Sequence, residues 1–236
     1  MTTPHGRLAA PVLVVLLGFA LVPSAATATT AASVRLDGVT VALQPGTSQV
    51  VTVNRTRSWH ARVVLWRWTA GGWQVVQRTS NGRIGYGGLV VGSQRKQGTG
   101  TTPLGSYRLL SAFGTHARSG SWHLAYRRIG KGDYWVEDNR SAYYNRYRSR
   151  SQGGFRWWLR SGENTSERLT DHPAQYEYVV NTSFNLSQVR HRGAGIFLHV
   201  NGRRATAGCV SVPRAFMRSA VGRLDPARVP MIAIGR

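Results

Sequence analysis

Residues 195–211, GIFLHVNGRRATAGCVS, put the chain's sole cysteine on a turn of small residues, ten positions after a histidine that closes an apolar run. Ile196, Phe197 and Leu198 read as a buried strand ending at His199, and Asn201-Gly202 is a turn signal. Beyond Cys209, Ser211 reads as a helix N-cap with Pro213 in the first turn. Phe216, Met217, Ala220, Val221 and Leu224 recur at helical spacing, which predicts an amphipathic helix over 212–224. The order strand, basic loop, cysteine, helix suits a nucleophile.

The rest of the chain reads as β structure. Val34–Leu36, Val39–Val41 and Val50–Val53 are short β-type runs, separated by the turn signals Asp37-Gly38 and Pro45-Gly46. Trp59–Trp68 and Trp73–Gln77 flank Gly71-Gly72 and predict a hairpin whose tryptophans fill the core, with a sugar-stacking platform as the alternative. Residues 81–103 are rich in glycine and basic side chains, Arg95 and Lys96 among them. They lack the ending of a P-loop and the spacing of a dinucleotide fingerprint, so a mobile surface connection is expected. It leads into the turn Thr102–Gly105 and the strand Ser106–Leu110. Residues 113–175 read as a long irregular insertion with short strands such as Tyr134–Glu137, its Arg and Tyr side chains walling a substrate cleft. Strands are expected again at Tyr176–Val180 and Val229–Ile234.

At the N-terminus, Arg7, the apolar stretch Leu8–Val22 and the small residues Ala26-Thr27-Ala28 make a secretory signal peptide of residues 1–28. A retained membrane anchor is the alternative, but about 20 apolar residues are needed to span a bilayer. The chain carries 31 Lys and Arg against 9 Asp and Glu, a formal charge of +22. Nucleic acid, an anionic membrane or a polyanionic cell wall would each suit that balance. Export argues against nucleic acid, and the arginines are spread along the whole chain, so anionic cell-wall polymers are the expected neighbours.

A lone cysteine in an oxidising compartment is buried and inert, bridges two chains, or reacts. No Cys-x-x-Cys or His-x-x-x-His spacing offers a zinc site, and neither metal nor cofactor is expected. Arg203, Arg204, Arg214 and the predicted helix start favour a Cys209 thiolate. The backbone of Gly208 and Cys209 is the expected oxyanion site. His199 is the expected base, with a backbone carbonyl orienting its ring because no acid is near in sequence. Among the other histidines, His191 ranks next.

GIFLHV, a short spacer and then TAGCVSV resembles the L,D-transpeptidase (YkuD-type) catalytic domain of bacterial cell walls. Matched to that family's motif, His199 takes the base position, Thr206 the Ser/Thr position of the substrate-binding turn, Gly208 and Cys209 the Gly-Cys positions and Val210 the hydrophobic one. Residues 101–110, TTPLGSYRLL, resemble the Thr-Pro-x-Gly segment that enters the family's domain. Ala207 stands where the family has a second histidine and Ser211 where it has Arg or Asn, and the spacer is shorter, as in a divergent, actinobacterial-like branch.

The resemblance covers about residues 80–235. It implies a mainly β, sandwich- or barrel-like catalytic fold with one clear helix after the nucleophile, over residues 81–236. Residues 29–80 form an N-terminal β segment, either separate or part of that domain. The implied activity is that of a monomeric, secreted enzyme of the cell wall. Cys209 attacks a peptidoglycan stem peptide to give a thioester, and a diaminopimelate amine resolves it into a 3→3 cross-link. Water as acceptor would make an L,D-carboxypeptidase, and a catalytically degenerate wall-binding module is the remaining alternative.

Overall fold

A computed structural model describes residues 1–2 and 32–236, so the predicted signal peptide lies outside the described residues except for its first two. The chain opens with a hairpin of β1 (Ser33–Leu36) and β2 (Val39–Ala42), followed by the meander β3 (Gln49–Arg57), β4 (His60–Thr69) and β5 (Gly72–Arg83). Next come β6 (Leu89–Val91) and the long β7 (Thr102–Gly114). The insertion contributes β8 (Tyr126–Arg128), β9 (Asp133–Trp135), β10 (Tyr147–Ser149) and β11 (Glu167–Arg168). The chain ends with β12 (Val179–Thr182), β13 (Phe197–Val200), β14 (Val210–Val212), helix α1 (Arg214–Arg223) and β15 (Met231–Gly235).

Neighbouring strands run β12-β13-β14-β5-β4-β3-β15-β7, and β7 pairs back onto β12. The sheet therefore closes on itself as a barrel, with β6 and β8 attached to β7. Closure removes the open edges that would otherwise template aggregation. Strands β3, β4 and β5, which precede residue 84, belong to the same sheet as β13 and β14, which carry the cysteine motif.

Alternation along the strands explains what lies inside. Val51, Val53, Leu65, Ile84, Leu109, Leu198, Val210 and Ile232 are buried in one cluster, joined by Phe216, Met217, Ala220, Val221 and Leu224 of the helical segment. Each such side chain contributes about 1.5–3 kcal/mol of hydrophobic stabilisation. The unbroken run Val50–Val53 has a separate cause. Val50 faces outward, where the β1–β2 hairpin covers it with Leu36, Val39 and Val41. A strand buried on both faces needs no polar alternation. Trp66 and Trp73 pack against that hairpin cluster, whereas Trp68 is about half exposed at 51 % and meets Trp73 edge to face.

The α-helix that follows Cys209 is the only one among the described residues, but it begins at Arg214 with Pro213 as a cap that has no side-chain hydrogen bond. Ser211 is not its N-cap. It lies in β14, fully buried, its hydroxyl donating to Asn201 Oδ1. Parallel pairing of β14 with β13 (Leu198 with Val210, His199 with Ser211) overrides the local capping preference. The thiol thus sits at the mouth of a strand and not at the positive end of a helix.

Candidate active site

The register of β13 and β14 sets the geometry. Cys209 precedes Val210, which pairs with Leu198, so the cysteine lies opposite Phe197. The Phe197 N–H donates to Cys209 Sγ at 3.4 Å, and the thiol donates to Gly195 O at 3.0 Å. His199 lies two residues beyond Phe197 on the same strand face, about 7 Å along the chain. Thiol and imidazole share one cavity of about 480 Å³.

His199 is buried, with Nδ1 2.8 Å from Val200 O. A carbonyl only accepts, so Nδ1 carries the proton and Nε2 keeps its lone pair. Burial pushes the imidazole down to about 4, outweighing that hydrogen bond, and nearby His172 adds a smaller push the same way. The ring is therefore neutral across physiological pH.

The turn before the thiol is closely held. Thr206 Oγ1 donates to Cys209 O at 2.6 Å and accepts from Gly208 N at 3.2 Å. Thr206 lines the cavity with its hydroxyl engaged inside the turn. Buried Thr102 donates to Gly208 O at 2.7 Å and accepts from Gly85 N, also at 2.7 Å. The Thr-Pro-x-Gly segment is thereby clamped onto the cysteine turn. Gly208 has φ +138°, and a Cβ there would lie 2.7 Å from Arg95 Nη2 and 2.9 Å from Thr101 O. Only glycine lets the guanidinium approach so near the thiol.

Arg95 belongs to the segment expected as a mobile surface connection, and here the structure corrects the sequence. The side chain is only 6 % exposed, its Nε donating to Thr101 O and its Nη1 to Arg192 O. Gly193 makes room on its other side, where a Cβ would fall 1.5 Å from Nη1. Glycine here serves close approach and not mobility. Tyr86, Gln97, Gly98 and Gly100 from the same segment form one wall of the cavity.

The insertion supplies Glu137, Glu167, His172 and Gln175 to the lining, joined by Tyr176 just beyond it. Strands β10, β9 and β11 make a small sheet in which Glu167 begins β11 and Glu137 follows two residues after β9. Asn145 ties this sheet to the site: its Oδ1 accepts from Trp135 Nε1 and Gly195 N, and its Nδ2 donates to Phe184 O and Asn185 O. Gly195 O is thereby aimed at the thiol.

Electrostatics also departs from the sequence reading. Burial pushes the Cys209 thiol from 9.0 up to about 12, and Glu167 and, more weakly, Glu137 push the same way. The Phe197 N–H and Arg95 oppose them. Arg214, expected to favour the thiolate, pairs instead with Glu177 in an exposed position. His191 stands in an exposed pair with Glu163, so His172 is the second histidine of the cavity.

Burial and repulsion from Glu167 raise the Glu137 carboxyl from 4.5 to about 8, with Arg95 pulling it back only in part. Between those two values the folded protein keeps a proton there that the unfolded chain releases, so this group's contribution falls as pH rises. Glu137→Gln is expected to raise the melting temperature by a margin that grows from pH 4.5 to pH 8, measured by thermal unfolding across that range. A margin independent of pH would show that Glu137 titrates normally.

A family model for YkuD, the L,D-transpeptidase catalytic domain, matches residues 48–231. The chain belongs to the YkuD family. The match runs from the start of β3 to the first residue of β15 and takes in the barrel strands between them, leaving the β1–β2 hairpin outside. No curated protein matches the chain. Among solved structures, Bd1075 of Bdellovibrio bacteriovorus is similar at 14 % identity with a TM-score of 0.39, over 80 % of this chain and 48 % of that one. The YkuD chain described here thus spans about half the length of that solved chain.

Proposed function

We propose that the protein is an exported peptidoglycan L,D-transpeptidase, with Cys209 as nucleophile and His199 as base. The observation that carries this reading is the shared cavity, lined both by the sole cysteine of a YkuD domain and by a neutral imidazole whose Nε2 has no partner among the described residues. In the acylation step Sγ bonds to the carbonyl carbon before the terminal D-residue of a stem tetrapeptide, and the thiol proton passes to His199. The amine of the departing residue then takes that proton as the C–N bond breaks, leaving a thioester. The Cys209 N–H is the proposed oxyanion donor, because that of Gly208 is engaged by Thr206 Oγ1, and the Arg95 guanidinium lies against the turn. Attack by a diaminopimelate amine would give the 3→3 cross-link, and attack by water a carboxypeptidase product. Export rests on the Leu8–Val22 stretch and wall association on the arginine excess.

The test is to incubate the mature chain with disaccharide-tetrapeptides and read the products by mass spectrometry. Release of the terminal residue with 3→3 dimers is expected, as is a carbapenem adduct on the Cys209 peptide. Absence of both would leave the wall-binding module, a reading favoured by a thiol held so far from ionisation.

A further inference from the structure

Where the acidic side chains lie is informative in a chain with 31 basic residues and only nine acids. Asp37 pairs with Arg62, Asp133 with Arg127, Asp138 with Arg156, Asp171 with Arg168, Glu177 with Arg214 and Glu163 with His191. Asp225 caps the Ala227 N–H. The remaining two, Glu137 and Glu167, both line the cavity of Cys209. Among the described residues the Glu137 carboxylate has no hydrogen-bond or ion-pair partner. Glu167 accepts from the Tyr176 hydroxyl and lies 3.6 Å from His172. Neither pairs with an arginine, although Arg95, Arg203 and Arg204 line the same cavity.

We propose that Glu137 and Glu167 seat a primary ammonium group, the protonated amine of the acceptor that resolves the acyl-enzyme. This rests on the transpeptidase reading and says which acceptor the cavity selects. In the empty cavity the Glu137 carboxyl keeps its proton up to about pH 8, and a bound cation would compensate the carboxylate form. An ammonium group has three donors and can bridge two carboxylates that repel each other. Position supports the assignment. Glu137 Oε1 lies 3.3 Å from where a Cβ on Gly195 would stand, and Gly195 O is the acceptor of the thiol proton. Gly195 thus lies next to both the seat and the sulfur.

The resolving step then balances. The ammonium gives one proton to the Glu137 carboxylate, and the freed nitrogen lone pair attacks the thioester carbon. A second N–H proton passes to His199, the C–S bond breaks, and the departing thiolate takes that proton back from the imidazolium. The products are an amide, a Cys209 thiol, a neutral His199 and a protonated Glu137, which gives its proton to water as the next ammonium binds. A carboxyl raised to about 8 is a better proton acceptor for an ammonium than one at 4.5.

Binding tests the seat without turnover. Nα-acetyl-lysine amide, which offers one primary ammonium and no carboxylate, is titrated into the full chain by calorimetry. Saturable binding is expected, at least tenfold weaker in Glu137→Gln, restored in part by Glu137→Asp and absent for the Nα,Nε-diacetyl analogue. Glu167→Gln serves if Glu137→Gln does not fold. No saturable binding, or equal binding by the diacetyl analogue or the Gln variant, overturns the seat. In turnover, the ratio of amide to hydrolysis product is expected to fall at least tenfold in Glu137→Gln, and an unchanged ratio overturns the acceptor role. A chain that binds the ammonium probe yet forms no acyl-enzyme would sink the transpeptidase reading and leave the seat standing.

Discussion

Cys209→Ser is expected to lower acyl transfer by a factor on the order of 10⁴ or more, since removing the nucleophile of a covalent mechanism leaves only binding and oxyanion stabilisation. The hydroxyl keeps the two contacts of the sulfur, to Gly195 O and from the Phe197 N–H, so the fold has no reason to change. The measurement is the rate of dimer formation together with intact mass after carbapenem treatment, with circular dichroism as the folding control. A variant that still forms the adduct would place the acylated residue elsewhere. The size of the effect follows from the resting state. At about 12, the thiol is ionised roughly a thousandfold less at neutral pH than at its ordinary 9.0. On the proposed mechanism a preformed thiolate is too scarce to carry the reaction, and the proton would leave as the sulfur attacks.

Much of the barrel was legible because its strands are short, apolar and bounded by turn residues. Val50–Val53, the hairpin around Gly71-Gly72 and the strand before His199 all appear where the pattern put them. What pattern alone missed is what only tertiary contact decides. Ser211 has the chemistry of an N-cap, but pairing with β13 draws it into a strand. Arg95 lies among glycines that look like freedom along the chain, and the space those glycines leave is filled by its own guanidinium. Glu137 and Glu167 precede the cysteine by 72 and 42 residues, so no local motif could join them to it. The small sheet of β10, β9 and β11 and the turn after β9 bring them there, and they add to burial in raising the thiol. The pattern singled out the unpaired cysteine and its upstream histidine, which line one cavity, and missed their electrostatic setting.

That setting makes the second large effect fall on His199. His199→Gln is expected to slow acylation of Cys209 by about 10²–10⁴, the usual contribution of a positioned general base. Its pH dependence separates this from a structural role. With the imidazole held down to about 4, the native protein has its base neutral from about pH 5 upward, so its acylation rate should be flat from there to about pH 9. The variant has only thiolate to react with, and its rate should rise about tenfold for each pH unit while the pH stays below the raised thiol value. Glu137 titrates near 8 in both proteins, so the ratio of the two rates isolates the histidine. That ratio should shrink steadily between pH 6 and pH 9, as measured with a carbapenem that carries no cationic side chain. A constant ratio would mean that the ring supports the cavity wall, where it packs edge to face on Tyr176 at 5.5 Å, and that the thiol proton leaves by another route.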